Sequence, residues 1–334
     1  SVEVKNARAL KVVERMESFL STLKVPQVKF RRWLTGLEDF EGLFGSGGLT
    51  DEHRFVLTEW RDNGRYLLSD AEEALAAKMA QTGSAAWAKL QNVVSSTLLV
   101  EVPLVEGVKK LPLPVVRNMA YDRDQKTRKA AFEAEIESYR SIEDASDACL
   151  NGIKGEAITL AKARGYTSVL EKTLRDSRVE KTTLDSMLGA IRDSLPAFGR
   201  YFKKKAQLLG HPTGLPFYDL FAPIGDIDLR YTYEEAAAFI IDRFASFSAH
   251  LSNFAKRAFE NRWIDALPRE GKRGGAFCYN VRVINESRIM ANFNGSFNNM
   301  TTLAHELGHG YHGECLREQS LLNSHYTMPL AETA

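Results

Sequence analysis

The sequence predicts a mainly α-helical chain with a small β element near its end. Three observations carry that prediction. Apolar residues recur at i, i+3 and i+4 through most of the 334 residues. One short stretch alternates on both sides of a Glu-Gly turn, the mark of a hairpin. A second stretch of strand character stands directly before the final helical segment.

Each element follows from its local pattern. Leu10, Val13, Met16, Leu20 and Leu23 form one helical stripe, and Phe30, Trp33, Leu34, Leu37 and Phe40 form another after Pro26. Gly42–Gly48 is a loop. Helical patterns resume at about 55–79 and 87–94. Leu98, Val100, Val102 and Leu104 then alternate, Glu106-Gly107 turns, and Leu111, Leu113 and Val115 alternate again. Pro103, Pro112 and Pro114 restrict both arms to edge or irregular strands. A helix is expected from Asp124 to Arg164, closed by Gly165. Another runs from Lys181 to Leu209 with a kink at Pro196, closed by Gly210. Thr232 and Glu235 form a capping-box pair opening a helix to about Trp263. Gly271–Phe277 is a Gly-rich loop, and Tyr279–Phe293 has strand character. Asn294–Asn299 turns, and Thr301 to about Cys315 is helical. No internal repeat interrupts this order. The hairpin ends and a long helix begins near residue 120, which divides the chain into 1–120 and 121–334.

Composition excludes several classes of function. Apolar residues are 44% and charged residues 26%, ordinary for a globular chain. Lys+Arg total 44 and Asp+Glu 43, a net charge of +1, so nucleic acid and anionic membrane are not the expected partners. No apolar run is long enough to cross a bilayer. Three cysteines without short spacings argue against a disulfide framework and for a reducing, cytoplasmic setting. The N-terminus carries neither Met nor a signal peptide. The last residues, Leu330–Ala334, read as the middle of a helix, so both ends are expected to be cut ends.

The segment Thr301–His309 contains H-E-x-x-H. Two His at i and i+4 stand about 40° apart around a helix and ~6 Å along it. His305 and His309 can therefore converge on one ion at Zn–N ~2.0–2.1 Å. Glu306 lies about 100° round the helix, off the ligand face, where it can reach a water on the metal as general base. With 7 His in the chain, a chance match arises in roughly one such sequence in a hundred. A catalytic zinc needs a third protein ligand. The metzincin pattern would put Gly at 312 and His at 315, but those positions hold His312 and Cys315. His312 lies ~10 Å along the axis from His305, too far to share the ion comfortably, and reads as a residue supporting the ligands from behind or lining the substrate pocket. Glu314 and Glu318 are expected in solvent. Glu332 is the best third ligand, set among apolar neighbours where an unpaired carboxylate is costly, on a second helix crossing the first.

These residues carry a resemblance. His305–His309 as HELGH, followed by Ala331-Glu332 on a later helix, resembles the M3 family of zinc metallopeptidases, in its oligoendopeptidase F branch. Met290–Phe293 resembles the family's active-site edge strand, Gly271–Phe277 its Gly-rich loop, and Phe217–Leu220 the segment that opens its catalytic region. Ala163–Tyr166 also fits the branch. The similarity covers about 96–334 and is densest after 270. It implies one zinc ion held by His305, His309 and Glu332, with Glu306 as base. It implies a two-lobed helical, gluzincin-like molecule with a small sheet beside the active-site helix and a channel for short unstructured peptides. An extended peptide would pair with the strand near Asn292 and Phe293. In this likeness 121–334 is the first part of a catalytic domain. The family continues past the third ligand to further helices and to Tyr and His donors for the tetrahedral intermediate. Each such donor is worth about 2.7–4 kcal/mol, so the chain alone is expected to be a crippled catalyst.

The leading expectation is a zinc endopeptidase acting on short oligopeptides. The rivals are an exopeptidase on the same metal site and an inactive, peptide-binding or structural fragment. Oligomeric state is unreadable. Lys203–Lys205 reads as a solvated helix face, Cys278 and Cys315 as small buried residues, and His53, His211 and His250 as scattered. Lys272 and Arg273 are either substrate contacts or part of a flexible loop.

Overall fold

A computed structural model describes residues 3–225 and 230–333. The readings at Ser1–Val2 and at Ala334 lie outside these described residues. The chain opens with helices α1 (Ala7–Thr22), α2 (Lys24–Thr35), the single turn α3 (Leu49–Glu52), α4 (Arg54–Asn63), α5 (Asp70–Thr82) and α6 (Ser84–Ser96). Caps fix several starts. The Asn6 side chain accepts from Ala9 N, and Ser69 with Glu72 closes a capping box on α5. Pro26 sits in the first turn of α2, where a missing N–H costs nothing, so the helix begins before it rather than after it. The expected run over 55–79 is interrupted, because α4 stops at Asn63 and α5 starts at Asp70. A small core of Leu34, Phe40 and Leu57 holds α2 to α4.

The hairpin follows. Strands β1 (Leu99–Leu104) and β2 (Gly107–Pro112) pair antiparallel with Leu104 opposite Gly107. Both are edges of a two-stranded sheet, as their prolines require. The second arm ends sooner than its alternation suggests. Leu113 and Val115 belong to helix α7 (Leu113–Asn118), with Pro114 in its first turn. Val100, Val102, Leu113, Val116 and Ala131 form one core under the hairpin.

The expected helix from Asp124 to Arg164 is two, α8 (Gln125–Ser138) and α9 (Glu143–Ala163), separated by a 3₁₀ turn at Tyr139–Ile142. No breaker residue stands there. Tyr139 and Ile142 turn inward onto the hairpin core, a tertiary preference that overrides local propensity. Helix α10 (Val169–Ser177) and the long α11 (Lys181–Leu208), with Pro196 inside it, come next. Gly165 and Gly210 take positive φ just past α9 and α11, as their C-terminal positions demand. The capping box at Thr232 and Glu235 opens α12 (Tyr233–Phe247), as expected. That helix stops at Ser248, whose side chain caps α13 (Ala249–Glu260), so the single run to Trp263 is again two helices.

The last region positions the site. Strands β3 (Ile264–Asp265), β4 (Phe277–Val281) and β5 (Glu286–Met290) form a sheet in the order β3-β5-β4. β5 pairs parallel with β3 and antiparallel with β4. Asn285, at positive φ, turns the chain between β4 and β5. Helix α14 (Phe297–Cys315) packs on β4 and β5 and on α12 and α13. It starts four residues before Thr301, because Ser296 accepts from Asn299 N. The single turn α15 (Met328–Ala331) ends the described chain. The largest core lies here, with Ile240, Phe254, Trp263, Ile289, Met300, Leu303 and Leu307 all buried. The fold is mainly helical with small sheets, one of them beside the H-E-x-x-H helix. Among the described residues no helix is long and apolar enough to cross a membrane.

Candidate metal centre

Helix α14 divides its residues between two faces. Met300, Leu303, Glu306, Leu307 and Gly310 lie on its buried stripe. His305 and His309 lie beside that stripe, with rings 4.4 Å apart and nearly perpendicular. Their Nε2 atoms are 3.0 Å apart. Glu332 follows α15 directly and brings Oε2 to 3.4 Å from His305 Nε2 and Oε1 to 3.8 Å from His309 Nε2. Among the described residues these three are the group of metal-type donors whose atoms lie within 4.8 Å of one another.

The donor set fits zinc. Ligands at ~2.0–2.1 Å on a tetrahedron stand about 3.3 Å from each other. The observed 3.0, 3.4 and 3.8 Å bracket that value. Two imidazoles and one carboxylate also leave one tetrahedral position for a water or a carbonyl.

Glu306 is only 5% exposed, and its Oε2 has no hydrogen-bond partner among the described residues. Burial pushes its carboxyl above the ordinary range, against the pull of His305, and the Glu332 charge pushes it further. A buried acceptor without a partner is costly in a part made only for stability, and such groups concentrate at functional sites.

The apolar setting read around Glu332 is not a buried one. Its side chain is about half exposed, and Met328 and Leu330 are exposed too. Its place beside both His comes from the one-turn helix rather than from a burial penalty.

His312 stacks on Tyr326 with ring centroids 4.3 Å apart. Its buried Nδ1 has no partner among the described residues, and burial holds its pKa below the usual value, with His309 adding to the effect.

Asn292 and Phe293 occupy a different position from the expected edge. β5 is the middle strand, and the chain beyond it stays tied to β3, with Ala291 N donating to Asp265 O and Phe293 N to Ala266 O. The Phe293 side chain is buried in the main core against Tyr233. Asn292 Nδ2 donates to Arg273 O and Gly275 O and so holds the Gly-rich loop. The outer strand on that side is β4.

Several side chains do work their local sequence does not announce. Lys272 is fully buried and donates to Asp265 O, Asp265 Oδ1 and Leu267 O at 2.8–2.9 Å, which anchors the Gly-rich loop instead of meeting a substrate. Lys205, read as solvated, is buried and donates to Leu220 O. Glu314 pairs with Arg257 rather than facing solvent alone. Cys315 is exposed, whereas Cys149 is the buried cysteine. His211 joins a buried cluster in which Asp219 takes bonds from Arg128, Gln125 and His211 at 2.5–2.9 Å. The only sequence signal for that cluster is the family likeness of Phe217–Leu220.

A helical frame with a small sheet thus carries one helix whose two His meet Glu332 in a single donor cluster, with the buried Glu306 beside it. Residues 118–334 match peptidase family M3, and residues 23–98 match oligopeptidase F. The chain belongs to peptidase family M3 and is of the oligoendopeptidase F type. It is 28% identical over 219 residues to oligopeptidase PepF of Bacillus subtilis, covering 65% of this chain and 32% of that protein. It is 29% identical over 213 residues to an oligoendopeptidase F homolog of Lactococcus lactis, covering 64% and 35%. The chain thus spans about a third of the length of these curated relatives. The crystal structure of oligoendopeptidase-F from Enterococcus faecium shares the fold, with a TM-score of 0.62 at 19% identity over 98% of this chain and 53% of that one.

Proposed function

We propose that the chain carries the metal site of a zinc endopeptidase that hydrolyses short unstructured peptides. The observation that carries this reading is the buried Glu306 carboxylate, one oxygen unpaired, beside a three-donor cluster of zinc-like spacing. His305, His309 and Glu332 would hold the ion. Bound there, zinc supplies a Lewis acid for the scissile carbonyl and lowers the pKa of water to about 7.

The chain's own residues do the rest. Glu306 takes the proton of the attacking water and delivers it to the leaving amine, a role worth typically 10²–10⁴-fold. It shares the buried stripe of α14 with Leu303 and Leu307, which holds its backbone in place. The peptide adds as a strand to the outer edge of β4, the neighbour of α14, and main-chain bonds there are indifferent to side-chain identity. Asn292 serves this binding at one remove, by holding the loop that leads into β4. His312, backed by Tyr326, lines the far side of the ligand face.

Zinc content and cleavage of an internally quenched peptide blocked at both ends test the reading together. One zinc per chain, lost in His305→Ala, with internal cleavage of the blocked peptide, supports it. Zinc binding that survives His305→Ala overturns the metal site. Cleavage confined to peptides with free ends makes the protein an exopeptidase.

A further inference from the structure

Beside the N-terminal half of α14 the molecule holds a cavity of about 450 Å³ between α8, the Gly-rich loop and the 217–221 turn. Its walls include Tyr121, Phe132, Phe217, Tyr218 and Phe221, which touch in pairs. Tyr121 and Phe221 are 5.3 Å apart, Phe132 and Phe217 5.5 Å. Large aromatics normally finish buried, yet Phe217 is 67% exposed and Phe221 49%.

The aromatics are held rigidly from behind. Asp219, at the centre of the turn, is fully buried and bonded by Arg128, Gln125 and His211. Arg128 and Phe132 are four residues apart on α8, on one face of the helix. The same face therefore clamps the turn through Asp219 and meets its rings through Phe132. Lys205 Nζ ties the turn a second time, at Leu220 O. A shelf fixed in this way is organised before any ligand arrives.

The cavity reaches the helix that carries the two His donors. Thr302 and Asn298 of α14 line it, and so do Gly274, Gly275 and Ala276, which lead directly into β4. Thr302 and Asn298 precede His305 by three and seven residues, or ~4.5 and ~10.5 Å along the helix. An extended peptide advances ~3.3 Å per residue. A peptide lying along β4 would therefore bring into the cavity a side chain one to three residues from the scissile bond.

We infer that this aromatic shelf is a specificity subsite that takes a large aromatic side chain of the substrate peptide, one to three positions from the bond cut, with Phe217 and Phe221 as its contacts. The inference rests on the peptidase reading for the position of the bond, but not for the existence of the subsite.

Equilibrium binding separates the two. Fluorescein-labelled hexapeptides blocked at both ends, with Phe placed in turn at each position of an otherwise Ala background, are bound to the zinc-loaded full chain in the Glu306→Gln form. Anisotropy should show one position at which Phe binds about tenfold tighter than Ala. That ratio should fall to near one in Phe217→Ala and Phe221→Ala and persist in Phe217→Tyr. Mapping of the products from the chain with Glu306 intact should put the position one to three residues from the cut. A Phe preference that survives both alanine variants, or no preference at any position, overturns the subsite. A preference lost in the variants, together with zinc content unchanged by His305→Ala, keeps the subsite and overturns the metal site on which the peptidase reading rests.

Discussion

Helices α11 and α14 invite comparison because each contradicts the other's lesson. α11 spans 28 residues with a strong apolar stripe, and α14 spans 19 with Gly308, Gly310 and Gly313 inside it. By periodicity α11 is the better helix. Yet among the described residues α11 buries only Lys205 and Ala206, while Met187, Ile191, Leu195 and Phe198 are each more than half exposed. α14 buries six residues and lies against two strands and two helices. An apolar stripe thus records what a helix is able to bury, and only tertiary contact decides what it does bury. The glycines of α14 show the same from the other side. They cost helix propensity but allow close approach: a Cβ at Gly310 would come within 2.8 Å of Phe254 Cζ, and one at Gly313 would fall inside the Asn280 carboxamide.

The contrast can be broken or sharpened by experiment. The largest effect belongs to the chemistry of α14. Glu306→Gln should lower hydrolysis of the blocked peptide by ~10²–10⁴-fold with zinc content unchanged. Full activity in that variant would remove Glu306 from its role. Next comes packing. Leu303 and Leu307 are wholly buried, so truncation of either to Ala should cost about 2–5 kcal/mol in urea unfolding. Gly313→Ala should cost about 1–3 kcal/mol, because Asn280 must give up its bond to His309 O. A neutral Gly313→Ala would mean that the close approach of β4 to α14 is not a constraint.

A smaller effect is read from pH. The Arg269 guanidinium, with Lys272, holds the Asp265 carboxyl down at about 2, well below its ordinary 3.8. A depressed carboxylate stabilises above its unfolded pKa and loses that contribution as pH falls toward the folded value. Unfolding curves should therefore lose stability between about pH 4 and about pH 2, and Asp265→Asn should flatten that limb. An unchanged acid limb would show that Asp265 is not tied in this way. The smallest effect belongs to α11. Leu195→Ala should shift stability by no more than about 0.5 kcal/mol. A loss comparable to that at Leu307 would mean that α11 is packed in solution and would dissolve the contrast.

The H-E-x-x-H helix is the most legible part of the chain, because one turn of an α-helix converts i, i+4 spacing into convergent imidazoles without any help from elsewhere. Helix starts marked by Ser, Thr, Asp or Asn were also legible, since a cap acts within three residues. The capping box at Thr232 shows it, and the Ser248 cap that splits the run it opens is open to the same reading. The break at Tyr139 was not, because it depends on a hairpin core assembled from residues some forty positions upstream. Buried lysines were illegible for a related reason. Lys205 and Lys272 end on carbonyls and carboxylates that only the folded chain brings within reach. The order β3-β5-β4 hid the true edge, since strand character says nothing about which neighbour is absent.

The anchoring of the Gly-rich loop has a mechanical consequence. Gly271 is tied by its own N–H to Ser96 O and by its carbonyl to Val4 N, Lys272 is locked below, and Asn292 grips the carbonyls of Arg273 and Gly275. Seven residues with three glycines would ordinarily behave as a flap. Fastened at four points, they form a stiff lip on the cavity that Gly274, Gly275 and Ala276 line. A peptide that settles against a stiff lip need not freeze it first, so the entropy of loop ordering drops out of the binding equilibrium and the energy of the main-chain bonds is left to hold the peptide.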